Sequence, residues 1–522
     1  MLVYKPKKAL LFRLKNPGRI TTVIPTAKLV RHQGEVLVAV PHRPDETQVL
    51  RNLGFEAPDS MPLYYEWPGP DTPFATQQQT STFLTRHRRA FVLNSMGTGK
   101  TRSALWTYDY LRATKCVRRV LVVAPLSVLE RAWADTVFRA FPHLSCSVLY
   151  GSAARRKKLL AREADVYVIN IDGLKVIKAE LKARTDIDLV IVDEVAMARN
   201  QGTDRWKTLN EVINKQCPRR AWGMTGTPTP NEPTDAWAQA KLINPTNPDV
   251  PKYFSAFRDR VMRQTSQYTW VARETALEEV QKVLQPSIRF SLDECVDLPP
   301  LTIQDRDVEL TDEQQKAYND MARQLAAEYA GGQIIAMNEA VKANKLVQIG
   351  CGIAYDLAGD DVVLPVGPRI NELMDVIEES EGKVIVFAPF TSVVKHVASE
   401  VAKRWSVAMV YGEVKKNARD DIFKMFQNAQ EPHVIVADPG TMAHGLTLTA
   451  ATTITWYAPT NSNEHYDQAN ARMRRPGQTR PTVIVRLAGS KVERKMYARL
   501  DRKGSMQGLL LDMFEDQEPL TE

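Results

Sequence analysis

Two series of short, wholly apolar runs set the limits on how this chain can fold. Between Gln77 and about Pro233 come RAFVL, RVLVVA, DVYVIN and DLVIVD; after a mostly helical middle come KVIVFA, SVAMVY, HVIVA, TITWYA and TVIVRL. Each run is too short for a helix and is apolar at successive rather than alternate positions, the mark of a strand covered on both faces. Helical stretches separate the runs, so each strand can return parallel to the one before it. The expectation is an α/β chain with two parallel sheets and helical insertions. At 522 residues the chain exceeds what one hydrophobic core serves. The two halves read as copies of one fold, without a residue-level repeat.

Ahead of the first series the texture differs. LLFRL, RITTVIP and EVLVAV are β-like runs set apart by Asn16-Pro17-Gly18 and Gln33-Gly34. Asp45 is expected to N-cap a short helix, ETQVLRNL, that stops at Gly54. The stretch from Pro62 to Pro73 is a linker by composition. The expected organisation is a small β-rich accessory unit (1–70), a first lobe with a helical insertion (71–290), a helical linker (291–370) and a second lobe (371–522).

Composition narrows the functional classes. No apolar run approaches membrane-spanning length, and MLVYKPKKALLFRLK lacks the apolar centre of a signal peptide, so no membrane partner is expected. The cysteines Cys116, Cys146, Cys217, Cys295 and Cys351 form no CxxC pair and are expected as small buried apolar groups in a reducing compartment. A net charge of +8 suits a polyanionic partner. Its placement is more telling: Arg86, Arg88 and Arg89, the run Arg155-Arg156-Lys157-Lys158, and Arg472, Arg474 and Arg475 all fall near the motifs below.

Three of these motifs carry chemistry. Asn94-Ser95-Met96-Gly97-Thr98-Gly99-Lys100-Thr101 follows the strand RAFVL and opens the helix RSALWTYDYL, the setting a phosphate loop requires. Backbone N–H groups of Met96, Gly97, Thr98 and Gly99 can close around phosphate oxygens at a helix N-terminus. Lys100 would reach the β and γ phosphates and the Thr101 hydroxyl would hold Mg²⁺. The first glycine of the usual GxxxxGK[ST] pattern is Asn94 here. Asp193-Glu194 ends the strand DLVIV, where an open α/β sheet presents its ligands; Asp193 would serve the metal and Glu194 the attacking water. In the second half, Arg472 and Arg475 are spaced so that on a helix both face one surface, and they could stabilise charge on the γ-phosphoryl group. A DNA-backbone contact or a solvated face is the alternative for that segment.

In this order the motifs resemble the Swi/Snf group of superfamily-two helicase-like ATPases, over roughly Pro73 to Lys503. Phe74-Ala75-Thr76-Gln77 is similar to the group's adenine-reading glutamine motif, and Leu121 to Trp133 to its DNA-contacting loop with a distinctive trailing tryptophan. Val168-Ile169-Asn170 is similar to the next contact, and Asp193-Glu194-Val195-Ala196 to its DExH-like box, with Val195-Ala196 atypical. Thr225-Gly226-Thr227-Pro228 is similar to the coupling motif, Val386-Phe387 and Tyr411-Gly412 to the next pair, Asp438 to Leu448 to motif five, and Arg472 with Arg475 to motif six. The resemblance implies two RecA-like lobes that close over ATP and Mg²⁺, with Gln77 and Gly445 at the nucleotide. It implies sequence-independent binding of double-stranded or branched DNA through Pro125 to Ser127, Gly151-Ser152, Asn170, Pro389 to Ser392 and Gly440-Thr441. The expected activity is DNA-dependent ATP hydrolysis driving translocation on duplex DNA without obligatory strand separation, in branch migration, fork remodelling or recombination. A protein-displacing or polymerase-associated factor and a strand-separating helicase are the alternatives. The expected setting is the cytoplasm of a bacterium or phage-infected cell, with a monomer on DNA.

Overall fold

The computed structural model describes residues 1–32, 34–215, 219–265, 270–330, 337–355, 361–442 and 447–501. The two series of apolar runs build two parallel sheets. In the first, the strands lie in the order Ser287–Ile288, Arg89–Val92, Arg220–Met224, Ile187–Asp193, Arg119–Ala124, Val166–Asn170 and Cys146–Val148. In the second the order is Leu301–Asp307, Thr482–Ala488, Ala451–Trp456, Lys383–Phe387, Val434–Ala437 and Val407–Val410.

Both faces of each sheet are covered, which is why the strands are apolar at successive positions. Along Arg119–Ala124, Leu121 and Val123 enter one core and Val120, Val122 and Ala124 the other. Along Lys383–Phe387, Ile385 and Phe387 face one way and Val384 and Val386 the other. Full burial of such a side chain contributes about 1.5–3 kcal/mol, so each strand is fixed from two sides.

Parallel order brings all the strand C-termini to one edge. Neighbouring strands of the first sheet deliver, side by side, the phosphate-loop segment after Val92, Thr225, the Asp193-Glu194 pair and Pro125. The short strand Ser287–Ile288 returns beside Arg89–Val92, and Leu93 and Ser95 donate their N–H groups to Ile288 O and Phe290 O. The chain then crosses to the second lobe. Leu301–Asp307, within the stretch read as a helical linker, runs parallel to Thr482–Ala488 as an edge strand of the second sheet. Its polar, exposed residues hid it from a search for apolar runs.

The first residues form a four-stranded antiparallel sheet in the order Leu2–Tyr4, Ala9–Phe12, Glu35–Pro41, Lys28–His32. RITTVIP is not a strand. Gly18–Thr21 is a helical turn that buries Ile20, and Ile24 joins it in the core four residues on. Asp45 is not the N-cap either, because Pro44 takes an opening position of the helix Pro44–Asn52 and Arg43 precedes it. The Asp45 carboxylate instead pairs with Arg220, 2.8 Å away at the start of its strand. This unit therefore meets the first sheet at the edge opposite the phosphate loop. The Pro62 to Pro73 stretch lies against the first lobe: Trp106 donates to Pro68 O, and Tyr65 donates to Asp109.

In the second lobe, Arg369 and Glu493 are both fully buried, with nitrogen and oxygen 2.8 Å apart, and Arg369 also donates to Tyr457 O. Removing one member of a buried pair leaves the other charge uncompensated, at a cost of about 3–5 kcal/mol. Glu493→Gln should lower the urea stability of the second lobe by that order, while a neutral change at exposed Lys495 should leave it alone.

Candidate nucleotide site between the lobes

Residues of both lobes line one open cleft of about 220 Å³. The first lobe contributes Met96, Gly97, Gly99, Lys100, Thr101, Pro125, Val128, Ala132, Asp193 and Glu194, and the second contributes Arg472 and Arg475. Met96 to Thr101, Pro125, Asp193 and Glu194 are placed by a strand end or a helix start of the first lobe, so its sheet fixes their geometry.

The phosphate loop runs from Asn94 into the helix Lys100–Ala113. Gly97 and Gly99 adopt φ of 85° and 82°, which favours glycine. At Gly99 a Cβ would also lie 2.3 Å from Gln77 Nε2, so no side chain fits. Gln77 is buried, accepts the Phe74 N–H (3.0 Å) and donates to Thr98 O (3.0 Å). Its amide thus braces the loop, with one N–H and one lone pair left over. Lys100 Nζ donates to Asn94 O (2.8 Å) and Ser95 O (3.1 Å). Burial pushes the Lys100 ammonium down, and the carboxylates of Glu194 and Asp193 oppose that.

Across the cleft, burial and the charge of Glu194 push the Asp193 carboxyl up to about 6, while the Trp133 N–H holds it back. That bond, Trp133 Nε1 to Asp193 Oδ2 at 2.9 Å, comes from a wholly buried indole. Glu194 accepts from the Thr225 hydroxyl at 3.2 Å. Its backbone is left-handed, φ 53° and ψ 56°, a conformation that costs a non-glycine residue about 1–2 kcal/mol.

Arg472 and Arg475 do not lie on a helix. The helix Asn463–Asn470 ends before them and they occupy the turn that follows. Pro476 disfavours helical geometry at Arg475, and Gly477 turns the chain at φ 99°. The turn nonetheless carries both guanidinium groups to the cleft. Burial pushes Arg475 down to about 10 and Arg472 well down, with the charge of Arg475 adding to the effect on Arg472. Three cations thus face two carboxylates in a recess that has room for an anion. Gly445 lies outside the described residues.

The lobes are in contact beside the cleft. Glu130 pairs with Lys416 and Arg131 with Asp420, each at 3.0 Å, and Arg474 pairs with Asp293 at 2.7 Å. Arg199 Nη1 lies 3.7 Å from Glu464. The Trp133–Asp193 bond and these ion pairs were missed from the sequence; its only signal was the tryptophan trailing the DNA-loop motif. Part of the basic excess has other uses: Arg156 is buried and donates to Gly151 O, Leu149 O and Asn170, and Arg89 to Asn214 and Ile243 O.

Against known proteins, the SNF2-related domain model matches residues 78–349, and the helicase conserved C-terminal domain model matches residues 368–477. The chain belongs to the SNF2-related family. It is an ATP-hydrolysing enzyme of helicase superfamily two. Putative protein p41 of Acyrthosiphon pisum secondary endosymbiont phage 1 is 25% identical over 471 residues, 84% of this chain and 98% of that protein. The uncharacterized ATP-dependent helicase MG018 of Mycoplasma genitalium is 22% identical over 407 residues, 76% of this chain. The human DNA annealing helicase and endonuclease ZRANB3 is 23% identical over 449 residues, 82% of this chain. The chain spans only 37% and 39% of the length of those two relatives. The SWI2/SNF2 ATPase core of Sulfolobus solfataricus in complex with dsDNA aligns with a TM-score of 0.42 at 22% identity, covering 87% of this chain and 97% of that one.

The strained backbone at Glu194 gives a test independent of turnover. Glu194→Gly should raise the unfolding free energy of the first lobe by about 1 kcal/mol in urea titration, because glycine removes the left-handed penalty. Glu194→Gln keeps the backbone penalty and should show no such gain.

Proposed function

We propose that this SNF2-related enzyme is a DNA-dependent motor that uses ATP to translocate on double-stranded DNA without obligatory strand separation. One observation carries the reading: Lys100, Asp193 and Glu194 of one lobe share a cleft with Arg472 and Arg475 of the other. A site divided in this way is complete only when the lobes meet, so nucleotide occupancy is tied to closure.

The residues divide the work. Lys100 exchanges its bonds to Asn94 O and Ser95 O for phosphate oxygens, joined by the N–H groups of Gly97, Thr98 and Gly99. Glu194, held by Thr225, orients the attacking water. Arg472 and Arg475 meet the charge that builds on the γ-phosphoryl oxygens. Thr101 and Asp193 are hard oxygen donors lining the same cleft, and no group of three or more His, Cys, Asp or Glu side chains among the described residues could hold a metal alone. That set fits Mg²⁺, which binds one or two protein oxygens along with phosphates and waters. When bound, Mg²⁺ would neutralise charge on the β and γ phosphates.

Strand-end loops at Pro125 to Ser127, Gly151-Ser152, Asn170, Pro389 to Ser392 and Gly440-Thr441 are the contacts proposed for backbone phosphates; the Gly440 N–H and the Thr441 hydroxyl would first exchange their bonds to Asp438. Such contacts position a duplex without reading its sequence. The name of the human relative, an annealing helicase, favours branch migration or fork remodelling over strand separation. The N-terminal β-rich unit (1–70) docks through Asp45 and Arg220 at the far edge of the first sheet, which supports a bracing role for that unit. The protein acts as a monomer on DNA in the cytoplasm of a bacterial or phage-infected cell, a setting favoured by the phage and Mycoplasma relatives.

Arg475→Ala should bind ATP nearly normally yet hydrolyse it about 10³-fold more slowly; Lys100→Ala should lose hydrolysis with weakened binding, and Glu194→Gln should bind without turnover. Near-normal turnover by Arg475→Ala would remove the divided site.

Stimulation of hydrolysis should be measured on duplex, forked, single-stranded and tailed substrates over a salt series. Duplex and fork should stimulate irrespective of sequence, with affinity falling steeply as salt rises. Efficient unwinding of a tailed duplex, or stimulation by single strands alone, would make the enzyme a strand-separating helicase instead.

A further inference from the structure

The segment after Pro125 touches three regions of the proposed motor. It begins at the loop expected on DNA, Pro125 to Ser127. Val128 and Ala132 then line the nucleotide cleft. From Leu129 to Ala134 the chain is π-helical, and the Asp135 N–H bonds back to Glu130 O. π-Helical turns are rare and collect at functional sites. Within this one stretch, Glu130 and Arg131 pair with Lys416 and Asp420 on the second-lobe helix Lys416–Asn428. Two residues on, Trp133 donates its indole N–H to Asp193.

The far end of this connection is also tied down. On the second-lobe helix, Arg419 donates to Tyr411 O, Val414 O and Thr441 O, in the loops at the C-terminal ends of strands Val407–Val410 and Val434–Ala437. At the near end Trp133 is wholly buried among Val128, Leu129 and Val137. A close-packed core does not deform continuously, so moving the Glu130–Arg131 side of the stretch displaces the indole. The only polar atom of that indole holds Asp193.

We propose that Leu129–Ala134 is a strut that makes the orientation of Asp193 depend on docking of the second lobe, with Trp133 as the positioning residue. The proposal rests on the reading of Asp193 as the carboxylate serving Mg²⁺. In the docked state Trp133 Nε1 holds Oδ2 of a carboxylate that lines the cleft. When Lys416 and Asp420 withdraw, the stretch relaxes and that restraint weakens. Metal-assisted nucleotide binding then favours the closed enzyme, and premature hydrolysis by open lobes is suppressed.

The test uses the full chain, Mg²⁺ and a fluorescent non-hydrolysable ATP analogue, and reads the Mg²⁺ concentration that half-saturates binding. Trp133→Phe keeps an aromatic ring, though a smaller one, and removes the donor; it should raise that concentration about tenfold, the lower end of what loss of an outer partner of a metal ligand costs. Arg131→Asp should raise it about threefold, the scale of one partly exposed ion pair, and Arg131→Asp with Asp420→Arg should restore it. In the Trp133→Phe background Arg131→Asp should add nothing, because the strut is already cut. Additive effects, or an Arg131→Asp variant matching the wild type, would overturn the proposal. If Trp133→Phe does not fold, the single reversal and its swap decide alone: rescue supports the strut, and no rescue overturns it. Failure of the unaltered enzyme to show Mg²⁺-dependent analogue binding would instead overturn the reading of Asp193 on which the strut rests.

Discussion

Charges brought together from two lobes govern this structure. Lys100, Arg472 and Arg475 converge on Asp193 and Glu194 in one cleft, and burial weakens the protonated form of each cation. Neither lobe alone sets up this arrangement. The parallel sheets exist, in effect, to hold strand ends at fixed spacing so that these groups meet. Buried charge of this kind is costly without a partner of opposite sign, and a polyphosphate entering the recess supplies one.

The fold was legible where burial dictates composition. All nine apolar runs are strands, because a strand with helices on both faces has no solvent side to make polar. What escaped were elements whose composition does not read as an apolar run. Arg220–Met224 is wholly buried but opens on an arginine and sets a glycine beside its tryptophan, and Leu301–Asp307 is an exposed edge. Ile20 and Ile24 looked β-branched and strand-like, yet their spacing of four serves a helical turn against the small sheet. Arg472 and Arg475 were found in the sequence, but the helix Asn463–Asn470 stops before either of them and a turn carries both.

The site divides along similar lines. Lys100, Thr101, Asp193 and Glu194 were legible as candidates because their spacing is local to one loop or one strand end. The bond from Trp133 to Asp193 spans 60 positions, and the pairs from Glu130 and Arg131 span almost 290. No local pattern encodes such contacts; they follow from the order in which strands are laid into a sheet. Basic residues misled in the opposite direction. Arg156 and Arg89 stand in runs that look made for DNA, yet each spends its donors on backbone carbonyls and asparagine side chains inside its own lobe.

The strand Ser287–Ile288 is the last strand of the first lobe before the chain crosses to the second. It is bonded to the phosphate-loop strand, and the very next residues, through Phe290 O, hold Ser95 of the loop itself. The crossing between the lobes thus lies beside the candidate phosphate loop, so a force that parts the lobes is felt at Ser95 through its bond to Phe290 O.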